Sequence, residues 1–230
     1  GCPPPRPESD RPKTLTFPWN NLERWSFNFM ARKQLGLLGF QESKYPIRPM
    51  GDFLVGTMNG YCIRPVPNKT RFRMLKLNAL QPWGLDLEQT KHVDVPQAIA
   101  NRFSLHKGDL LICRSVGSYE HVAKCALVTE DHPDILFPDI IIRARFGRGM
   151  LPEYVREALQ TDLGRAYFQS NARTAVGMWK IGAEDIRKFP IPVPPIQVQE
   201  EIVQTIRNLR DRVADIRAEA AALSEKAQSE

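Results

Sequence analysis

The sequence contains no long hydrophobic run. Its most apolar stretch, residues 135–142, is interrupted by Pro138 and Asp139, whereas a membrane-spanning helix needs about 18 or more apolar residues in succession. The first residues also lack the apolar segment of a secretory signal. These absences predict a protein that has no membrane partner and lies in the cytoplasm.

Cysteine is scarce and widely spaced. No CxxC pair is present to form half of a zinc site or a redox motif, and the chain has only Cys2, Cys62, Cys113 and Cys125. We therefore predict no metal site, and we expect these cysteines to be buried or unreactive thiols.

The common motifs of catalysis and cofactor binding are missing as well. The four histidines form no HExxH motif, and the sequence has no GxSxG, no phosphate loop ending in GK[ST] and no GxGxxG. The carboxylates of Asp134 and Asp139 are not followed by the (D/E)xK motif of metal-dependent nucleases. We predict a protein that is not an enzyme, with no catalytic residues and no cofactor.

The charge of the chain is unevenly distributed. The net charge is +6, and residues 196–230 contain five basic and seven acidic side chains, which leaves 27 basic and 19 acidic side chains, or +8, on residues 1–195. We call residues 1–195 the body. Its positive charge favours an anionic partner, and nucleic acid is the first candidate.

Proline and apolar spacing divide the chain into segments. Six prolines within residues 1–18 predict a flexible lead-in, and the aromatic-rich stretch 19–40 is expected to pack onto the body. Short apolar runs between residues 46 and 148, separated by Gly, Pro and Asn, are typical of strands. A helix is expected from Pro152 to Gly164, and the four prolines of residues 190–196 predict a stiff linker. The predicted fold class is α+β, with a strongly bent, mostly antiparallel sheet and short helices.

The last segment, residues 197–230, has a heptad pattern. Its apolar residues are spaced alternately by four and three positions. We expect a long coiled-coil helix that pairs with another helix, although an amphipathic helix folded back on its own domain is the alternative. The dimerisation residues are predicted to be Ile202, Ile206, Leu209, Val213, Ile216 and Leu223.

Four motifs in a fixed order carry a resemblance to a known family. They are RFRMLKLNAL at 71–80, KGDLLICRSVG at 107–117, FPDIIIRAR at 137–145 and FPIPVPPIQVQEEIV at 189–203. With these motifs the chain resembles the DNA specificity subunits of Type I restriction-modification systems.

The resemblance implies a role and a domain plan. Specificity subunits read double-stranded DNA for methyltransferase and restriction subunits, and are not catalytic themselves. The resemblance implies a target recognition domain over 19–189, a linker over 190–196 and a spacing helix over 197–230. Family members usually contain two recognition domains separated by paired helices, whereas this chain has one of each. We therefore expect a half-subunit that pairs with a second copy, or a part of a longer protein.

Two segments combine cations with aromatic or hydroxyl side chains. In double-stranded DNA, Arg is suited to guanine and Asn or Gln to adenine. Trp179 is equally well interpreted as a core anchor. The candidate DNA-binding residues of these segments are Arg114, Ser118, Tyr119 and His121 in the first, and Arg173, Thr174, Trp179 and Lys180 in the second.

Two further groups complete the candidate DNA-binding residues. The segment Gly56–Tyr61 is interpreted either as a DNA-reading loop or as a simple hairpin turn, and it contributes Thr57, Asn59 and Tyr61. Basic residues near the first motif are assigned to phosphate contacts, and these are Arg71, Arg73 and Lys76.

Two rival functions remain open at the level of the sequence. One is a stand-alone nuclease or methyltransferase. The other is a coiled-coil interaction scaffold that binds no DNA.

Overall fold

A computed structural model describes residues 43–229. The predictions for the lead-in 1–18 and for the aromatic stretch 19–40 lie outside these residues. The strands are short and are numbered in chain order: β1 Ile47–Pro49, β2 Leu54–Asn59, β3 Phe72–Leu75, β4 Leu80–Gln81, β5 Gly84–Leu85, β6 Thr90–Val93, β7 Ser104–Leu105, β8 Leu110–Cys113, β9 Ser115–Val116, β10 Cys125–Leu127, β11 His132–Leu136, β12 Ile141–Phe146, β13 Arg173–Ala175, β14 Met178–Lys180 and β15 Pro190–Pro192.

The helices follow the same chain order. Most of them lie after β12. Their bounds are α1 Gln97–Phe103, α2 Pro152–Gln160, α3 Asp162–Asn171, α4 Ala183–Arg187 and α5 Ile196–Ser229.

Two four-stranded sheets form most of the body. The first has the strand order β10-β8-β12-β2 and is fully antiparallel. The second has the order β6-β3-β11-β7, and only its β3–β11 pair is parallel. The prediction of an α+β fold with mostly antiparallel sheets, short helices and a long C-terminal helix is confirmed.

The core lies against the central strands of the first sheet. All four residues of β8 are buried, as are Ile141 to Ala144 of β12. A strand covered on both faces forms a continuous apolar run, which is why β8 is visible in the sequence, whereas β12 carries Arg143 and Arg145 among its apolar residues. At the end of β2, a Cβ on Gly60 would lie 2.2 Å from the Pro138 carbonyl oxygen. Glycine is required there because the two backbones approach closely.

Several boundaries differ from the sequence predictions. Gly56 lies in strand β2 together with Thr57 and Asn59, so the segment 56–61 is neither a free loop nor a hairpin turn. The apolar run at Tyr61 forms a single bridge to Pro138 and no strand. The helix after Pro152 ends at Gln160, before Gly164, because the Thr161 hydroxyl caps a new helix by accepting a hydrogen bond from the Gly164 amide at 3.0 Å. The side-chain cap satisfies an amide that has no partner within the helix.

The proline-rich segment expected as a linker contains a strand. It is extended, but Pro190–Pro192 pairs antiparallel with β1, and Phe189 and Ile191 are fully buried. The Tyr154 hydroxyl donates a hydrogen bond to the Pro192 carbonyl at 3.1 Å. Part of the segment before the long helix is therefore held within the body.

The first turns of α5 are docked on the body. Gln199 is 0% exposed, and its amide donates to the carbonyls of Gly149 at 3.0 Å and Pro194 at 2.9 Å while its oxygen accepts from the Leu151 amide at 2.9 Å. Val203 is buried against the core. A buried amide with all three contacts satisfied fixes the position of the helix start.

An ion pair marks the place where α5 leaves the body. Arg210 donates to both carboxylate oxygens of Glu157, at 2.8 and 2.6 Å, and Arg156 contacts the same carboxylate. Burial alone would raise the pKa of Glu157, but hydrogen bonds from Arg210 and Arg156 outweigh burial and hold the pKa below its usual range. The carboxylate is therefore charged at neutral pH and ties α2 to α5.

Candidate nucleic-acid interface

The structure brings the two cation-bearing segments of the sequence into one small sheet. Its strand order is β13-β14-β9. Trp179 of β14 pairs with Thr174 of β13 on one side and with Val116 of β9 on the other. Segments that lie about 60 positions apart in the sequence thus become neighbours, and most of the predicted DNA-binding residues lie on or beside this sheet.

The cations of this sheet lie opposite each other at the base of the β13–β14 hairpin. Arg173 and Lys180 are direct partners across the two strands, so their side chains share one face. The Arg173 side chain is 69% exposed, and its guanidinium lies 3.6 Å from an Asp185 carboxylate oxygen. Lys180 is exposed. Both side chains are accessible to an anionic ligand.

The two aromatic side chains of the site contact each other. The rings of Tyr119 and Trp179 have centroids 4.6 Å apart and are tilted by 60°. Both residues are half-buried, and Trp179 also packs against the hydrophobic core. Trp179 thus packs as a core anchor would, and part of its ring also remains accessible to a ligand.

The remaining residues of the first segment flank this aromatic pair. Ser118 and His121 are exposed, and Tyr119–His121 forms a single 3₁₀ turn. Arg114 is half-buried, and its guanidinium donates to the Asp139 carbonyl at 3.2 Å. Arg114 is therefore engaged with the backbone of the body, while Ser118 and His121 are accessible.

The turn of the hairpin is unusual. Two residues connect β13 to β14, and both have positive φ, 51° for Val176 and 72° for Gly177. This geometry is that of a type I′ turn, which favours Asn and Gly. A residue other than glycine pays about 1–2 kcal/mol for the left-handed conformation. Val176 is fully exposed, so no packing within the described chain compensates for this cost.

The predicted residues on β2 lie on a different element. Thr57 and Asn59 belong to β2, an edge strand of the first sheet, and the Thr57 hydroxyl accepts a hydrogen bond from Arg187 at 3.0 Å. The Tyr61 ring contacts the Phe103 ring at 5.2 Å. The structure does not place these three residues in the hairpin sheet.

The basic residues near the first motif belong to the second sheet. Arg73 forms an ion pair with Asp134 at 3.0 Å, and the Arg71 guanidinium lies over the Phe72 ring at 5.2 Å. Lys76 is exposed just after β3. Their assignment to phosphate contacts stays a prediction, and Arg73 would have to leave an internal partner to make one.

Sequence reasoning missed a second group of arginines. Arg145 donates to both oxygens of Asp109, at 2.5 and 3.2 Å, and Arg143 lies 3.6 Å from the same carboxylate. Asp109 is 1% exposed. Burial lowers the pKa of the Arg143 guanidinium, and the hydrogen bond with Asp109 raises the pKa of Arg145. The KGD and RAR segments of the family-like motifs contain these residues, but nothing in the sequence indicates that they meet.

Charged side chains in the described part do not assemble a metal site. No group of three or more His, Cys, Asp or Glu side chains is placed to hold an ion within residues 43–229. Burial raises the pKa of both the Cys113 and the Cys125 thiol to about 12, so these thiols stay protonated and unreactive at neutral pH. Cys62 is exposed, and Cys2 lies outside the described residues.

The helices of the described part do not have the character of membrane spans. None of those between residues 43 and 229 combines the length and the apolar character needed to cross a bilayer.

The relatives that a comparison with known sequences finds belong to one kind of protein. No protein-family model matches the chain. The specificity subunit of the Type I restriction enzyme EcoKI from Escherichia coli K12 is 29% identical over 152 residues, which cover 66% of this chain and 33% of the relative. The EcoEI specificity subunit from Escherichia coli is 26% identical over 148 residues, which cover 63% of this chain and 24% of the relative. The chain thus spans a third or less of the length of these two relatives.

Comparison with solved structures supports the fold. A chain from a structure on complex assembly and conformational transition of the type I R-M system matches with a TM-score of 0.54 at 16% identity, covering 86% of this chain and 47% of the other. The Type I restriction-modification S subunit from M. genitalium matches with a TM-score of 0.51 at 9% identity, covering 76% and 41%. The sequence matches confirm the resemblance drawn from the four motifs: the chain is related to the specificity subunits of type I restriction enzymes.

Proposed function

We propose that this chain is a DNA sequence-recognition module that directs methyltransferase and restriction subunits to a double-stranded DNA target and is not itself catalytic. The observation that carries the proposal is the β13-β14-β9 sheet. It gathers the exposed cations Arg173 and Lys180 with the accessible Ser118 and His121 on one part of the surface.

The chemistry of this sheet suits DNA. Guanidinium and ammonium groups bind phosphates, and hydroxyl and imidazole groups form hydrogen bonds with base edges or phosphates. The hairpin is also a two-stranded ribbon, an element that the major groove of B-DNA can admit. The net charge of +8 on residues 1–195 adds a general attraction to the phosphate backbone.

The relatives support the same function. Their names describe specificity subunits of type I restriction enzymes. Because this chain covers a third or less of their length, the partnership with methyltransferase and restriction subunits is part of the proposal. The most economical arrangement is a half-subunit whose second recognition half is supplied through α5.

The salt dependence of DNA binding tests the proposal. If the body neutralises about five to nine phosphates, the affinity for a random duplex should fall with a log–log slope of roughly −4 to −8. Fluorescence anisotropy of a labelled duplex at a series of KCl concentrations would measure it with the full 230-residue chain. A slope near zero would contradict DNA recognition and favour the scaffold interpretation. Cleavage or methylation of DNA by the purified chain would contradict the non-catalytic role.

The exposed part of α5 supports a proposed partner helix. The first two predicted dimerisation residues, Ile202 and Ile206, are half-buried. The start of the helix therefore fits the alternative in which the helix folds back on its own domain. The next four are exposed, with Leu209 at 58%, Val213 at 46%, Ile216 at 54% and Leu223 at 69%. Soluble monomers seldom keep such an apolar stripe uncovered. We propose that it pairs with the same helix of a second copy or with the helix of a second recognition half.

A double substitution tests this pairing. Changing Leu209 and Ile216 together to Glu should abolish association of the chain with itself, because each buried aliphatic side chain contributes about 1.5–3 kcal/mol. Light scattering over a concentration series would measure the mass. The matched control is Ala214→Glu with Ala218→Glu, which adds two charges to the same helix outside the heptad stripe and should leave association intact. A wild-type chain that stays monomeric at every concentration would contradict pairing with a second copy.

A further inference from the structure

We propose that Val176, at the tip of the β13–β14 hairpin, is a specificity-determining residue that contacts the methyl group of a thymine in the major groove. The inference rests on the proposed DNA recognition and deepens it, since it names one residue and the base feature that this residue reads.

The first observation is the conformation of Val176. Among the described residues, the non-glycine residues with positive φ are Ala123 at 58° and Val176 at 51°. Ala123 is 5% exposed, so its methyl group packs within the fold. Val176 is 102% exposed and has a β-branched side chain, which makes positive φ still less favourable. Strain of this kind at a site without internal packing points to a contact outside the chain.

The second observation is that the tip projects beyond the sheet. Within residues 43–229, strand β9 pairs with Trp179 and Lys180 of β14 alone, so the end of the hairpin that carries Val176 has two strands there. A two-stranded ribbon fits the major groove, whereas a wider sheet does not enter it.

The third observation is the spacing between the tip and the cations. Arg173 lies three residues before Val176 and Lys180 lies four residues after it. At about 3.3 Å per residue, both cations lie on the order of 10–13 Å from the tip. The major groove is about 8.5 Å deep. When the tip reaches the floor of the groove, the two cations therefore lie at the level of the phosphates along its edges.

The side chain at the tip determines which group of a base it can contact. The isopropyl group of Val176 neither donates nor accepts a hydrogen bond. The apolar group that the major groove offers is the C5-methyl of thymine, which apolar side chains contact. Gly177 adds no side chain that would keep the tip away from the bases.

Replacement of thymine by uracil tests the inference without altering the protein. The target would first be selected from a pool of random duplexes with the full chain, and each thymine of the selected site would then be replaced singly by deoxyuridine, which lacks only the methyl group. We expect the replacement of one particular thymine to lower the affinity of the wild-type protein about three- to fivefold, the size expected for one buried methyl group.

Variants of Val176 complete a double-mutant cycle. V176G and V176N should not respond to uracil at that position, and both should melt at or above the wild-type temperature, because Gly and Asn tolerate positive φ. A123G, which changes the other left-handed residue, should keep the full response to uracil.

The outcomes separate this inference from the proposed function. If the wild type selects a sequence but no thymine responds to uracil, or if V176G and V176N keep the response, the role of Val176 is overturned and DNA recognition stands. If no sequence is selected at all, the proposed function fails and this inference fails with it.

Discussion

Arginines and lysines of two regions, β12 and the β13–β14 hairpin, have different surroundings in the structure. On β12, Arg143 and Arg145 meet a carboxylate that is 1% exposed, and Arg143 itself is buried. On the hairpin, Arg173 is 69% exposed beside Asp185, and Lys180 is exposed. The comparison teaches that net charge alone does not locate a binding surface. Cations that are buried themselves, or that contact a buried acid through both of its oxygens, hold the fold. Arg173, which lies 3.6 Å from the buried Asp185, and Lys180 keep exposed side chains that are available to a ligand.

The largest expected effect is a loss of stability when Asp109, the partner of the two β12 arginines, is changed. Asp109→Asn should lower the free energy of unfolding by about 3–5 kcal/mol, because it leaves the buried Arg143 without its counter-charge. Urea unfolding would measure the loss. Asp52→Asn is the matched control, since Asp52 forms an exposed ion pair with Arg48 that should contribute at most about 1 kcal/mol. Equal losses in the two variants would contradict the assignment of a structural role to Asp109.

The next effect concerns the ion pair at the helix exit. Arg210→Ala should lower the free energy of unfolding at pH 7 by about 1.5–3 kcal/mol, the size of a hydrogen bond to a charged group. Arg207→Ala, one turn earlier on the exposed side of α5, is the matched control and should have little effect.

The same pair predicts a pH dependence with a definite sign. The pKa of Glu157 in the folded state is held below its ordinary value of 4.5, so its contribution to stability is present above that value and is lost as the pH falls through the lowered pKa. The difference in unfolding free energy between wild type and Arg210→Ala should therefore be largest near pH 7 and shrink below about pH 4. A difference that grows in acid would show that Glu157 is not held in its charged form.

The smallest of these effects is on DNA binding by the hairpin. Arg173→Ala or Lys180→Ala should each weaken binding by about 1–3 kcal/mol if the side chain reads a base, with the melting temperature nearly unchanged. Anisotropy titration together with thermal melting would separate the two quantities. Early unfolding with unaltered affinity per folded molecule would place these cations with the structural set of β12.

The fold was predictable where the sequence signal is local. The buried strand β8 is a continuous apolar run, and the heptad spacing of α5 is visible by inspection. Strands of two residues such as β4, β5 and β7 are too short to show a period. A threonine before an acidic residue, as at Thr161, is a recognised helix start, but Gly164 is the more conspicuous signal in this segment.

The site was predictable in its parts but not in its assembly. Arg173, Trp179 and Tyr119 were selected for their residue types, but the pairing of β9 with β14 depends on contacts between distant segments. Val-Gly is not one of the residue pairs typical of a two-residue turn, so the sequence does not indicate the β13–β14 hairpin. Sequence therefore supplies candidate side chains, whereas the strain at Val176 and the internal neutralisation of Arg143 and Arg145 depend on three-dimensional packing.

The buried amide of Gln199 has a consequence for how such a module would operate in solutions of different ionic strength. The start of α5 is held by a neutral side chain and by apolar contacts, and dissolved ions weaken neither of them as they weaken exposed charge pairs. Contacts between exposed cations and phosphates, in contrast, are lost steeply as salt rises. The start of α5 should therefore stay docked on the body at salt concentrations that weaken the proposed contacts between the hairpin and DNA.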